Sequence, residues 1–310
     1  LRQVVALGLA QGPSEVLPVS SSAHIALIPQ LAGWPHAGLD PELRNSLEVA
    51  LHAGTAAALL AYLGIRAKRA SPEAAALRGG LSGAPARSAA DGLDGRTLGR
   101  ALATAALALA PPVLVGYLLE RRPEQRPSSP RVLAAGLVLG GAAMALADLR
   151  RGTRTLADAG PGDGLALGLA QALALLPGVS RNGATLTAAR ARRFTREDAQ
   201  ALSWRAGLPV IAGAAGLKAH RLLQRGAPAG ALAPLAVGAT ASFLSTLASA
   251  PLIRQGRRAR ALWPFALYRG GLALAAVRTT RASARTHATA ATAAATSSTE
   301  GQAPIAKASR

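Results

Sequence analysis

The sequence contains no cysteine. That excludes a disulfide framework, a thiolate metal site and a cysteine nucleophile, and it leaves the redox character of the compartment unreadable. Aromatic residues make up only 3% of the chain, so the stacking platforms on which single-stranded nucleic acid binds are missing. Acidic residues are scarce too, 15 against 35 basic, for a formal net charge of +20. Such a balance suits nucleic acid when the charge gathers on one face. Here the basic residues flank apolar stretches instead, at Arg66, Lys68 and Arg69, Arg121 and Arg122, Arg150 and Arg151, and Arg257, Arg258 and Arg260. That is the pattern expected beside membrane lipids, whose anionic headgroups attract cations, and it argues for no nucleic acid as a partner. Nearly every connection is basic, so charge alone does not assign loops to the two sides.

Half of the residues are apolar, supplied mostly by Ala, Leu, Gly and Val. Apolar stretches of roughly membrane-spanning length, about 17–25 residues, recur at 47–65, 101–119, 132–149, 199–217 and 231–253, with a shorter one at 261–277. A soluble Ala-rich bundle would need a polar face on each helix, yet 231–253 carries no charge. An all-α polytopic membrane protein is expected. Residues 1–10 are too short, and too soon interrupted by Gln11, for a cleavable signal peptide, and are read as part of the fold. The segment 66–97 reads as an extramembrane loop, and 279–310, an Ala/Thr/Ser tail, as disordered. A transmembrane domain over 1–278 remains.

An internal repeat divides that domain. Leu7-Gly8-Leu9-Ala10-Gln11 recurs as Leu167-Gly168-Leu169-Ala170-Gln171, and the same 160-residue offset carries Val19-Ser20 onto Val179-Ser180. The first repeat covers about 1–120 and the second about 130–278. Duplicated halves with inverted topology place binding sites where their interrupted helices meet. Pro13 and Pro18 are expected to stop a helix that begins near Val4, and Pro177-Gly178 to stop its counterpart. Two re-entrant helix pairs follow, with polar turns at membrane depth, where non-helical backbone must be buried in protein or line a wet cavity.

The turns carry the candidate chemistry. Ser20, Ser21, Ser22 and His24 lie where a second half-helix starts, and Ser180, Arg181, Asn182 and Gly183 repeat the arrangement. Free N–H groups and the positive end of the dipole make a helix start an anion site. Arg181 in apolar surroundings needs an anionic partner, either phosphate oxygens gripped by its fork or a carboxylate such as Glu15. Glu15 and His24 are candidate ligands for a divalent cation bound together with phosphate. Glu48 and His52, four residues apart on one helical face, read equally as supports of the site or as each other's partners.

The stretch Gln11-Gly12-Pro13-Ser14-Glu15 through His24 resembles the motif E-G-x-x-E-x-x-P-V-S-S-T-G-H of the undecaprenyl-diphosphatase family, also called the bacitracin-resistance family. Pro177 through Gly183 resembles that family's P-G-x-S-R-S-G, Leu47 through Thr55 its intervening helix and Phe265 through Arg269 its final helix. The resemblance covers roughly residues 3–277, and two long motifs in order are a specific signal. It implies inverted repeats with two re-entrant helix pairs in the bacterial inner membrane. The activity implied is hydrolysis of undecaprenyl diphosphate to undecaprenyl phosphate and phosphate, which recycles the lipid carrier for cell-wall synthesis and gives bacitracin resistance. The partners implied are a polyprenyl diphosphate lipid and surrounding membrane lipids; a homodimer stays open. The cofactor implied is a divalent cation, Mg2+ or Ca2+, on Glu15 with Gln11 as a further oxygen donor. By the same resemblance Ser21 is the nucleophile or a phosphate-positioning hydroxyl, His24 the proton-transfer group and Arg181 the phosphate clamp. Gln11, Ser20, Ser22, Ser180, Asn182 and Gly183 line the substrate pocket, supported by Glu48 and His52. Gln11 stands where the family has Glu, Ser22-Ala23 where it has Thr-Gly, and Asn182 where it has Ser. A transporter or flippase for a polyprenyl phosphate is the rival class; it needs the anion site but no acid-base set.

Overall fold

The computed structural model describes residues 1–34, 41–69, 95–121, 129–226, 230–252 and 261–279, and among them it is helical without a β-strand. A short pair, α1 (Arg2–Val16) and α2 (Ser21–Leu31), leads into the long α3 (Pro41–Arg69), followed by α4 (Gly95–Arg121) and α5 (Pro130–Asp148). The order then repeats. The short pair α6 (Pro161–Leu173) and α7 (Arg181–Ala191) leads into the long α8 (Arg196–Arg225), followed by α9 (Leu232–Ala248) and α10 (263–279). The lengths repeat as well, 15, 11 and 29 residues for α1, α2 and α3 against 13, 11 and 30 for α6, α7 and α8.

The halves are interlocked. The first helix of each packs on the fourth of the other, α1 on α9 and α6 on α4. Equivalent glycines make the close approach: a Cβ on Gly8 would lie 2.6 Å from that of Ala241, and one on Gly168 would lie 2.3 Å from the Leu107 carbonyl oxygen. Small residues at such crossings let helices gain packing without bulky side chains. A hydroxyl seam joins α3 to α9, with Thr55 and Ser242 at 2.8 Å and the Ser242 hydroxyl donating to the Leu51 carbonyl at 2.7 Å.

The expected helix stop at Pro13 does not occur: α1 runs through it to Val16. A proline inside a helix leaves the carbonyl four residues earlier without its donor. That carbonyl is Leu9, and the Ser245 hydroxyl of α9 donates to it at 2.6 Å, so the neighbouring helix supplies the bond the proline removes. The second break falls as expected, with α6 ending at Leu173 ahead of Pro177-Gly178. The expected loop 66–97 is shorter than read, because α3 continues to Arg69 and α4 begins at Gly95; residues 70–94 lie outside the described residues. Thr279 still belongs to α10, and the rest of the expected tail is also outside them.

Among the described residues two helices, α4 and α5, are long and apolar enough to cross a membrane. Only 11% of the apolar window of α4 and 33% of that of α5 is buried, whereas a soluble core helix is apolar because it is covered. Leu102, Val113, Leu114 and Leu118 of α4 and Leu139 and Leu146 of α5 all face outward.

At one end of the bundle the buried Asp148 gathers four element ends. Its Oδ1 accepts from Nε of Arg190 at 2.9 Å and of Arg196 at 2.8 Å, and its Oδ2 accepts from Arg196 Nη2 and the Leu262 N–H, each at 2.9 Å. Arg190 is only 3% exposed, and deleting one partner of a buried pair strands the other. Asp148→Ala is expected to cost about 3–5 kcal/mol, read as a lower unfolding midpoint of the detergent-purified protein.

Candidate active site

The two polar turns, between α1 and α2 and between α6 and α7, meet at the interface of the halves. Each ends on a serine with a positive backbone angle, Ser20 at φ 73° and Ser180 at φ 65°. Side chains rarely adopt this region, and such strain persists only where surroundings enforce it. Ser180 caps its helix, its Oγ accepting from the Gly183 N–H at 3.2 Å. Ser20 makes no such cap, and its hydroxyl instead lies 3.2 Å from that of Ser22. The residue after each serine opens the second helix: Ser21 opens α2 and Arg181 opens α7.

Glu15 joins these two openings. Its Oε2 accepts from the Ser21 hydroxyl at 2.6 Å and its Oε1 from Arg181 Nη2 at 3.0 Å. Gln11, one turn earlier on α1, donates to Oε2 at 3.4 Å, while its own Oε1 is buried without a partner. Among the described residues no other acceptor takes the remaining N–H groups of Arg181. That side chain, 15% exposed, lies against Gly207 of α8 and 5.9 Å from the Trp204 ring centre. Both alternatives raised by the sequence for Arg181 therefore stay compatible: it holds a carboxylate and keeps donors for a further anion.

Asn182 ties the turns together. Its Nδ2 donates to the Val16 carbonyl at 2.8 Å, and its Oδ1 accepts from Ser203 Oγ at 2.8 Å and Gln200 Nε2 at 3.3 Å. A serine is too short to span both, so this departure from the family motif adds a cross-link between the halves.

A cavity of about 210 Å3 opens over this constellation. Glu15, Ser20, Ser21, Ser22, Ser180, Arg181 and Asn182 line its polar end, with His52 beside them; Val210, Ile211, Ala214 and Ala215 of α8 form an apolar wall that leads to Lys218. Gln11 lies behind Glu15, fully buried. Gly183 backs the turn, and Glu48 contributes its carbonyl, 2.7 Å from His52 Nδ1, rather than its carboxylate. His24 is not on the cavity wall. Its Nδ1 faces the Ser20 carbonyl at 2.8 Å and must carry a proton there; in the neutral ring its Nε2 then accepts from the Tyr268 hydroxyl at 2.7 Å.

Lys218, Ser203 and the contacts of Tyr268 and Arg269 were not singled out by the sequence reading. Lys218 and Arg269 had one available signal, a charge inside an apolar stretch. Ser203 had none, because hydroxyls within apolar helices are common.

The arrangement defines a class: a helical protein of two interlocked halves with a cavity between them lined by serine hydroxyls, a carboxylate and a guanidinium. The family model described as "Bacitracin resistance protein BacA" matches residues 4–275, and the chain belongs to that family. It is 37% identical over 288 residues to the undecaprenyl-diphosphatase of Pelobacter propionicus, covering 90% of this chain and 98% of the relative. It is 39% identical over 265 residues to that of Geobacter metallireducens, covering 85% and 92%, and 38% identical over 275 residues to that of Geobacter sulfurreducens, covering 87% and 95%.

A positive angle on a non-glycine residue costs about 1–2 kcal/mol. Ser20→Gly is expected to stabilise the protein by about 1 kcal/mol, whereas Ser180→Gly, which also loses a helix cap, gains less. Denaturation midpoints of the two variants check this.

Proposed function

We propose that the chain hydrolyses undecaprenyl diphosphate to undecaprenyl phosphate and inorganic phosphate, with the diphosphate in the cavity between the halves. The observation that carries this is the Ser21–Glu15–Arg181 chain, a hydroxyl on a carboxylate and a guanidinium on the same carboxylate. Anion binding alone would need Arg181 and the helix starts. A transporter has no use for a hydroxyl hydrogen-bonded to a buried carboxylate, so the pairing favours hydrolysis over that rival.

In this reading the Ser21 oxygen attacks the terminal phosphorus while Glu15 takes its proton. The bond from that phosphorus to the bridging oxygen breaks, and undecaprenyl phosphate leaves with the electron pair. Water then attacks the phosphoserine and releases phosphate. Arg181 and the N–H groups at the starts of α2 and α7 spread the charge that develops on the transferred group. The polyprenyl chain lies along the apolar α8 wall toward lipid. His24, both of whose ring nitrogens are hydrogen-bonded, acts through the Ser20 turn.

A divalent cation, Mg2+ or Ca2+, fits this donor set. Glu15 and the unpartnered Gln11 oxygen would hold it, and phosphate oxygens and water complete such hard-ion shells. When bound it supplies charge neutralisation on the diphosphate.

The site sits in the bacterial inner membrane, in two inverted repeats whose pairs α1–α2 and α6–α7 are re-entrant. A helix of 15 or 13 residues reaches only about 20–22 Å, short of a hydrocarbon core of about 30 Å. The reciprocal packing of first on fourth helices is what two repeats related by a pseudo-two-fold axis produce at their interface.

Phosphate release from undecaprenyl diphosphate by the detergent-purified protein is the test. Release is expected to be abolished by chelator and to fall by a factor on the order of 100–1,000 or more in Arg181→Ala, Glu15→Gln and Ser21→Ala, with a smaller loss in His24→Ala. No release from folded parent protein would overturn the hydrolytic reading; full release by Ser21→Ala would replace the serine with a directly attacking water.

A further inference from the structure

Among the described residues Arg269 of α10 is the largest side chain with no exposure at all. A guanidinium in such surroundings pairs with a carboxylate or with backbone carbonyls, and among the described residues it has no carboxylate. It is held by backbone carbonyls instead. Its Nε donates to Leu137 at 3.2 Å, and its Nη2 donates to Gly136 at 3.1 Å, Gly178 at 2.9 Å and Val179 at 2.8 Å. Glycines make the slot. A Cβ at Gly140 would lie 2.3 Å from Nη2 and one at Gly183 2.6 Å from Nη1, while one at Gly136 would meet the Pro177 carbonyl at 2.1 Å. Gly183 is therefore glycine on account of Arg269, which explains its place in the motif without a substrate contact.

Val179 immediately precedes Ser180, so the group that holds its carbonyl sets the peptide plane leading into the strained φ of 65°. The neighbouring side chain does the same for the other turn. The Tyr268 hydroxyl donates to His24 Nε2 at 2.7 Å, and His24 Nδ1 donates to the Ser20 carbonyl at 2.8 Å. Two consecutive residues of one helix thus reach both strained serines, and neither lines the cavity.

We propose that Tyr268 and Arg269 are positioning residues: together they lock the two turns in mutual register, so that the Ser21 hydroxyl and the Arg181 fork stay on opposite sides of one phosphoryl group. The assignment rests on the hydrolytic reading above for its effect on turnover, but not for the anchoring itself.

The experiment compares the full chain, purified in detergent, with Arg269→Met, Gly183→Ala, the double variant and Tyr268→Phe. Hydrogen exchange over 19–24 and 177–183 and phosphate release are both read. Arg269→Met and Gly183→Ala are each expected to lower kcat by about a hundredfold, the effect of a misplacement of about 1 Å, with KM changed only a few-fold. The double variant is expected to be no worse than Arg269→Met, because the added methyl then meets an empty slot. Exchange should rise over 177–183 alone in these variants and over 19–24 alone in Tyr268→Phe. Losses that multiply in the double variant, or exchange that rises evenly along the chain, would reduce Arg269 to a packing residue and overturn the proposal. If Arg269→Met does not fold, Gly183→Ala and Tyr268→Phe decide the matter by the same local exchange. If the folded parent releases no phosphate, the reaction fails while the exchange pattern still judges the anchor.

Discussion

A carboxylate from one half of the chain and a guanidinium from the other share one buried position, and the site is assembled around that contact. Glu15 accepts from Arg181 and from Ser21 at once, so one side chain brings the openings of α2 and α7 together. Charges in apolar surroundings are tolerable only when an opposite charge or several backbone groups hold them. The pair therefore constrains how the halves meet, and Asn182, bonded to Val16 across the same interface, reinforces it. The cavity is the gap that remains when these contacts are made.

Breaking helices inside an apolar bundle exposes backbone groups that have no water to turn to. At two places the missing bond is made good by a donor from a neighbouring helix. Ser245 supplies the bond that Pro13 removes, and Arg269 satisfies carbonyls around the second turn. Glycines recur at these places because the donors must come close. The polar groups that look misplaced in α9 and α10 are what allow α1 to carry Pro13 and the chain to turn between α6 and α7.

Much of this was legible in the sequence for physical reasons. Apolar runs marked α3, α4, α5, α8, α9 and α10, since a long stretch of apolar residues shows in composition alone, and the 160-residue offset marked the duplication. Ser20, Ser21, Ser180 and Arg181 were readable because polar residues beside Pro and Gly stand out in such runs. The course of α1 through Pro13 was not readable, because the compensating hydroxyl lies over 200 residues away in the chain. The placement of His24 off the cavity wall was hidden likewise, since it depends on Tyr268, a partner 244 residues distant.

Ser21 and Arg181 occupy the same place in the two halves, each directly after a strained serine at the start of a helix. A duplication begins with identical residues at both places, either two hydroxyls or two guanidiniums. Neither combination can work on a diphosphate, because moving a phosphoryl group needs an attacker on one face and a countercharge on the other. The division of labour between these positions thus breaks the symmetry that the backbone retains. A return to likeness would leave either a pocket that holds its anion and does nothing to it, or an attacker with no guanidinium to hold its target.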